Sequence, residues 1–126
     1  MGLGVMSKKV LIVEDYEDTR TFMKFLLETS GYQVIEAADG IEAFDKFKNC
    51  HPDLILMDIS LPVVDGLTAT KAIRKSRDGE KVPIIAVTAF GKAYYHKAIE
   101  AGCNDLIGKP LDFETFEPIL NNYLSA

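Results

Sequence analysis

Five short apolar runs recur along this chain, each followed by a stretch of helical periodicity. They lie at residues 10–13 (Val-Leu-Ile-Val), 32–36, 54–57 (Leu-Ile-Leu-Met), 84–87 (Ile-Ile-Ala-Val) and 106–108. Three of them are continuously apolar, which suits strands covered on both faces, although a buried helix segment would look similar; the run at 32–36 alternates. A chain in which strands and helices alternate throughout buries its sheet by making it parallel and laying helices on both sides. With 126 residues it is long enough for one such domain, whose core needs neither disulfides nor a metal.

The intervening stretches carry their own signals. Between residues 18 and 30, Phe22, Phe25, Leu26 and Thr29 recur at helical spacing, and Gly31 stands where a helix C-terminal glycine would. Asp39-Gly40 opens a second helix with Ala43, Phe44 and Phe47 on one face. Asp65-Gly66 opens a third, with Leu67, Thr70 and Ile73 inward and Lys71, Arg74, Lys75 and Arg77 as a solvated basic end. A fourth spans about 92–101, with Tyr95, Ala98, Ile99 and Gly102 inward and Tyr94, His96 and Lys97 toward solvent. The last carries the stripe Phe116, Ile119, Leu120, Tyr123, Leu124. Pro118 interrupts it, which moves the expected start to Thr115 as N-cap and makes residues 112–114 a separate turn. The expected fold is α/β: a five-stranded parallel sheet, doubly wound, in the flavodoxin-like order 2-1-3-4-5 with five helices and right-handed crossovers. One domain covers residues 1–126, with 1–7 as a loose leader and no attached output module.

Composition removes several classes of function. The apolar runs are far too short for a membrane span, and the first residues lack both the basic start of a signal peptide and the Ser or Thr that myristoylation requires at position 6. A net charge of −5 argues against sequence-independent nucleic-acid binding and favours a cationic partner. Cys50 and Cys103 stand far apart without metal-ligand spacing, as suits reduced thiols in a cytoplasm. His51 and His96 lie away from strand ends and read as solvated; Met57 and the phenylalanines read as core.

The strand ends are where chemistry concentrates. Strand 1 runs into Glu14 and Asp15, strand 3 ends on Asp58, strand 4 on Thr88 and strand 5 on Lys109. In a parallel sheet all carboxyl ends share one edge, the edge at which open α/β sheets bind ligands. Three carboxylates gathered there repel, since two unit charges ~4 Å apart at an effective dielectric of ~20 cost about 4 kcal/mol. Lys109 supplies one compensating charge, and Mg²⁺, which needs one or two protein carboxylates and keeps its other positions for water and substrate oxygens, can supply the rest. A hydroxyl at Thr88 and an ammonium at Lys109 are donors suited to a phosphoryl group.

With these residues in place the sequence resembles the receiver domains of bacterial two-component response regulators, of the single-domain chemotaxis-regulator type, over about residues 8–124. The resemblance rests on Val13-Glu14-Asp15, on Asp53 to Asp58, on Leu61-Pro62-x-x-Asp65-Gly66, on Thr88-Ala89 and on Lys109-Pro110, which are specific as a set. It implies that Asp58 accepts a phosphoryl group and that Glu14, Asp15, Asp58 and the Ser60 backbone carbonyl serve Mg²⁺, with Glu14 acting through water. It further implies that Thr88 and Lys109 contact the phosphoryl oxygens and that Lys109-Pro110 is cis. The donor would be a phosphohistidine on a sensor histidine kinase or a histidine phosphotransfer protein. The product would hydrolyse slowly in the same pocket, and the face made by helix 4, strand 5 and helix 5 would carry the signal to a downstream protein. Neither nucleic acid nor membrane is implied as a partner.

The chain departs from the family at Leu106, three residues before the strand 5 lysine, where an aromatic is usual; coupling through Phe90, Tyr94 or Tyr95 is the expected alternative. Three rival functions compete. An aspartate-nucleophile phosphohydrolase wants a second acid two residues after Asp58, and Ser60 stands there. A flavin protein wants a phosphate loop after strand 1, where Glu14 and Asp15 would repel the phosphate. A phosphorylation-independent docking module has no need of the complete set of five residues.

Overall fold

The computed structural model describes residues 7–61 and 65–124; the expected leader lies almost wholly outside them, as does Pro62 of the Leu-Pro-x-x-Asp-Gly motif. Strands and helices alternate as expected: β1 (Lys9–Val13), α1 (Glu17–Thr29), β2 (Gln33–Ala37), α2 (Gly40–Cys50), β3 (Leu54–Asp58), α3 (Gly66–Lys75), β4 (Ile84–Thr88), a 3₁₀ helix (Gly91–Tyr94), α4 (Tyr95–Ala101), β5 (Asp105–Gly108) and α5 (Phe113–Leu124). Every pairing is parallel, in the order β2-β1-β3-β4-β5.

Side chains alternate across each strand, so the sheet builds two separate apolar layers. Leu11, Val13, Ile55, Met57, Ile84 and Ala86 face α2, α3 and α4, meeting Ala43, Phe47, Ala69, Ile73 and Ala98. Val10, Ile12, Leu54, Leu56, Ile85, Val87 and Ile107 face α1 and α5, meeting Met23, Leu26, Leu27, Phe116 and Leu120. All five residues of β3 are buried, because β3 lies mid-sheet beneath both layers. Each such aliphatic side chain contributes roughly 1.5–3 kcal/mol by leaving water.

Local chemistry sets the helix starts. The Asp39 carboxylate accepts from the Glu42 amide at 2.8 Å while Glu42 Oε1 reaches back to accept from the Ala38 amide at 3.2 Å, a reciprocal cap. Asp65 caps α3 without the return bond, accepting from the Thr68 amide at 2.9 Å and the Thr68 hydroxyl at 3.1 Å.

Four expectations need correction. On α1 the buried stripe is Met23, Leu26 and Leu27, while Phe22 and Phe25 stand 48% and 60% exposed. Two apolar stripes offset by one residue compete on this helix, and the aliphatic one packs on the sheet. The residues before α4 form a 3₁₀ helix, whose tighter turn shifts the phase of α4. Tyr94 therefore packs against the same core layer as Leu106, and Tyr95 and Ile99 face outward. Helix α5 starts at Phe113 rather than Thr115, because Asp112 caps it through the Thr115 amide at 2.8 Å. Pro118 sits in its second turn on the solvent side, where the Glu114 carbonyl that its missing N–H leaves without a helical partner belongs to an exposed residue and is open to water.

The fourth correction concerns the basic end of α3. Arg74 is not solvated there: Nε donates to the Gly102 carbonyl at 2.8 Å, Nη1 to those of Gly79 at 2.8 Å and Val82 at 2.6 Å, and Nη2 to Asn104 Oδ1 at 2.8 Å. One guanidinium thereby joins α3, the loop leading to β4 and the end of α4. Burial lowers its pKa from the ordinary arginine value.

Candidate functional site

Register brings the polar strand ends level. Val13 pairs with Met57, Asp58 with Val87 and Thr88 with Gly108, so the residues that end these strands or come directly after them converge on one edge. Beside β1 and β3 the strand order reverses direction, and the crevice that results is where such sheets bind ligands. Among the described residues only four polar or charged side chains are buried, and three of them, Glu14, Asp58 and Thr88, come from the set expected from the sequence. Burying carboxylates is costly unless compensating groups meet them, so their position marks chemistry rather than packing.

Lys109 is the compensating group. Its Nζ donates to Asp58 Oδ2 at 3.0 Å and lies 2.7 Å from Glu14 Oε1. The remaining carboxylate oxygens are met by backbone: Ser60 N–H donates to Asp58 Oδ1 at 2.9 Å, and Tyr16 N–H to Glu14 Oε2 at 3.0 Å. Glu14 Oε1 has the ion pair but no directed hydrogen bond, alone among buried side-chain oxygens of the described residues. Burial pushes the Glu14 pKa up; Lys109 and the Tyr16 amide pull it down and the Asp58 charge adds to the rise. Burial disfavours the Lys109 charge, but the two carboxylates outweigh it and hold the ammonium above its ordinary pKa.

Asp15 is exposed at the mouth of the pocket, and one carboxylate oxygen from each of Glu14, Asp15 and Asp58 lies within 4.8 Å of the other two. Three carboxylates against one ammonium leave two negative charges when ionised, which one divalent cation balances. Oxygen-only donors and a buried carboxylate oxygen without a directed partner suit a hard cation of the Mg²⁺ class. Thr88 borders the pocket, its Oγ1 accepting from the Phe90 amide at 3.0 Å. Lys109-Pro110 is cis. Asp58 thus sits in a divalent-cation pocket with an ammonium against its carboxylate and a hydroxyl on the next strand, an arrangement suited to accepting a phosphoryl group.

Residues 10–121 match the model of the response regulator receiver domain. The chain belongs to that family. It is accordingly the receiver domain of a response regulator, a phosphorylation-dependent signalling switch. The chain is 42% identical over 120 residues to the polar-differentiation response regulator DivK of Brucella ovis, covering 94% of this receiver domain and 98% of DivK. The receiver domain of sensor histidine kinase PA1611 from Pseudomonas aeruginosa PAO1, solved with a magnesium ion coordinated in the active site cleft, is 36% identical. The match covers 96% of this chain and 100% of that one at a TM-score of 0.88. The Vibrio cholerae chemotaxis protein CheY4 matches at 30% identity and TM-score 0.88 over 94% of this chain and all of its own.

Two parts of the site were not evident in the sequence. Gly66, read as a helix start, packs its backbone against the Asp58 carbonyl. Arg20 reaches from α1 to the Glu14 carbonyl at 2.9 Å, and a lone arginine one turn into a helix carries no sequence signal for this. An apolar groove of about 490 Å³ opens beside Lys109, lined by Phe22, Met23, Val87, Ala89, Pro110 and Leu111.

Proposed function

We propose that Asp58 is the phospho-acceptor, that Glu14, Asp15, Asp58 and the Ser60 backbone carbonyl serve Mg²⁺, and that Thr88 and Lys109 receive the phosphoryl oxygens. The observation that carries this reading is the half-buried Lys109 ammonium, 3.0 Å from the buried Asp58 carboxylate and 2.7 Å from that of Glu14. An Asp58 oxygen attacks phosphorus in line with the phosphohistidine P–N bond; as the new P–O bond forms, the P–N bond breaks and its electron pair returns to the imidazole. Lys109 lies where it can follow the charge from the Asp58 carboxylate onto the phosphoryl group. Thr88 Oγ1 accepts from the Phe90 amide, so its own hydrogen is free to be donated to a phosphoryl oxygen. When bound, Mg²⁺ supplies neutralisation of charge on the transferring oxygens.

Slow autodephosphorylation uses the same pocket: water attacks phosphorus, the Asp58–phosphorus bond breaks, and inorganic phosphate leaves with the carboxylate restored. The phosphodonor, a sensor histidine kinase or histidine phosphotransfer protein, approaches over the groove beside Phe22 and Pro110, which leads to Lys109. The target binds the face formed by α4, β5 and α5, where Tyr95 and Ile99 stand exposed. With Leu106 on β5, the aromatic part of the coupling is formed by Tyr94, which packs against the same core layer as Leu106, and by Phe90, at a ring distance of 5.5 Å from Tyr94. Among the described residues no helix is long and apolar enough to cross a membrane. Receiver-type signalling by contact with a kinase and a target places the domain in the cytoplasm.

The test is incubation with Mg²⁺ and acetyl phosphate, followed by intact-mass measurement. A base-labile gain of one phosphoryl group is expected, lost in Asp58→Asn. No gain, or a gain that survives in Asp58→Asn, refutes the assignment.

A further inference from the structure

The Asp58 side of the pocket is held by the sheet, whereas Glu14 and Asp15 lie in the connection that leaves β1. No side chain among the described residues holds the Asp15 carboxylate by a hydrogen bond or ion pair, so its direction depends on the backbone beneath it. That backbone is fixed from two sides. The Glu14 amide donates to the Ala37 carbonyl on β2 at 3.0 Å, and the Glu14 carbonyl accepts from Arg20 Nη1 at 2.9 Å. Arg20 Nε is in turn anchored to Glu36 Oε1 on β2 at 3.1 Å, with Lys24 also 3.4 Å from Glu36. The Arg20 side chain is 17% exposed, so these contacts are sheltered from water.

The Glu14 carbonyl and the Asp15 amide belong to one planar peptide. A donor that fixes the carbonyl fixes the plane from which the Asp15 side chain departs. We infer that Arg20 is a positioning residue for divalent-cation binding: braced on Glu36, it orients the Glu14–Asp15 peptide and so aims the Asp15 carboxylate into the pocket. This rests on the pocket being the Mg²⁺ site. The planar guanidinium serves two acceptors at once, whereas a lysine ammonium is a compact point charge that does not reproduce the fork.

Charge and geometry make opposite predictions. If Arg20 acted only as a nearby cation, removing it would lessen repulsion and tighten Mg²⁺ binding. As a brace, its removal weakens binding. The test titrates Mg²⁺ into the full chain, follows the Ser60 amide by NMR, and records thermal unfolding and far-UV circular dichroism in parallel. Arg20→Met is expected to raise the Mg²⁺ Kd about tenfold, the scale on which supports behind metal ligands act, with the circular dichroism unchanged. Arg20→Lys, which keeps the charge, is expected to raise it about threefold, and Glu36→Gln to raise it as well by removing the anchor. A Kd that is unchanged or lower in Arg20→Met, or equal to wild type in both Arg20→Lys and Glu36→Gln, overturns the inference. Should Arg20→Met not fold, Arg20→Lys and Glu36→Gln decide it alone. Failure of the wild-type chain to bind Mg²⁺ refutes the functional reading beneath, whereas wild-type binding with unmoved variants refutes the role of Arg20 alone.

Discussion

Gly66 offers a direct way to disturb Asp58 without touching its side chain. The start of α3 lies against the end of β3, so a Cβ built on Gly66 would stand 2.7 Å from Ile59 Cα and 2.8 Å from the Asp58 carbonyl carbon, and closer still to the oxygen of that carbonyl. All of these are backbone atoms and have no rotamer into which to retreat. In Gly66→Ala, α3 and the β3 terminus must part by roughly 1 Å to restore ordinary contact. Overpacking of this kind costs about 1–3 kcal/mol of stability. Part of the displacement passes to Asp58, and a ~1 Å misplacement of a reacting group costs as much as ~100-fold in rate. Urea unfolding measures the first effect, and the rate of phosphoryl incorporation from acetyl phosphate, with unfolded protein excluded, measures the second. Stability within about 0.5 kcal/mol of wild type together with an unchanged rate would show that α3 does not back Asp58.

Arg74→Ala leaves the carbonyls of Gly79, Glu80, Val82 and Gly102 and the Asn104 side chain without their charged donor and is expected to cost at least ~2 kcal/mol in urea unfolding; a loss below ~0.5 kcal/mol would mean that water replaces it. On α1, Phe25→Ala is expected to cost under ~1 kcal/mol and Leu27→Ala ~2–5 kcal/mol, and equal losses would contradict the observed packing face. Burial raises the Cys103 thiol pKa against the pull of Thr70 and Arg74, so at about pH 8 iodoacetamide is expected to label half-buried Cys50 first; prior labelling of Cys103 in the folded protein would refute this. A raised folded-state pKa contributes stability below the unfolded value of about 8.5, which is lost as pH rises through the folded value.

The sheet was legible because a parallel strand covered on both faces has to be apolar along its length, and residues 54–58 carry that requirement openly. The core of the site was legible for a related reason: register in a parallel sheet turns strand ends that are distant in sequence into neighbours, so Glu14, Asp58, Thr88 and Lys109 declare themselves by position. Helix faces were harder to read. Phe22 and Leu27 both satisfy a 3.6-residue period, and packing against the sheet, which no local pattern encodes, chooses between them. Backbone-directed contacts were not legible at all. Arg20 and Arg74 act on carbonyls, groups every residue possesses, so their partners leave no mark in the sequence. The 3₁₀ turn before α4 belongs with these, since one change of helical pitch exchanges the environments of Tyr94 and Tyr95.

The division of the core into two layers has a consequence for how the domain transmits a signal. Leu106 and Tyr94 belong to the layer beneath α2, α3 and α4, whereas Phe116 and Leu120 belong to the one beneath α1 and α5. Strand backbones form the partition between them, so repacking in one half reaches the other chiefly through that wall. The pocket stands on the wall's open rim, with Glu14, Asp58, Thr88 and Lys109 each attached to a different strand. An event there pulls on four slats of the partition together. The rim is thus the one margin from which a single added group addresses both halves of the molecule, and the surfaces over them can be read by different partners.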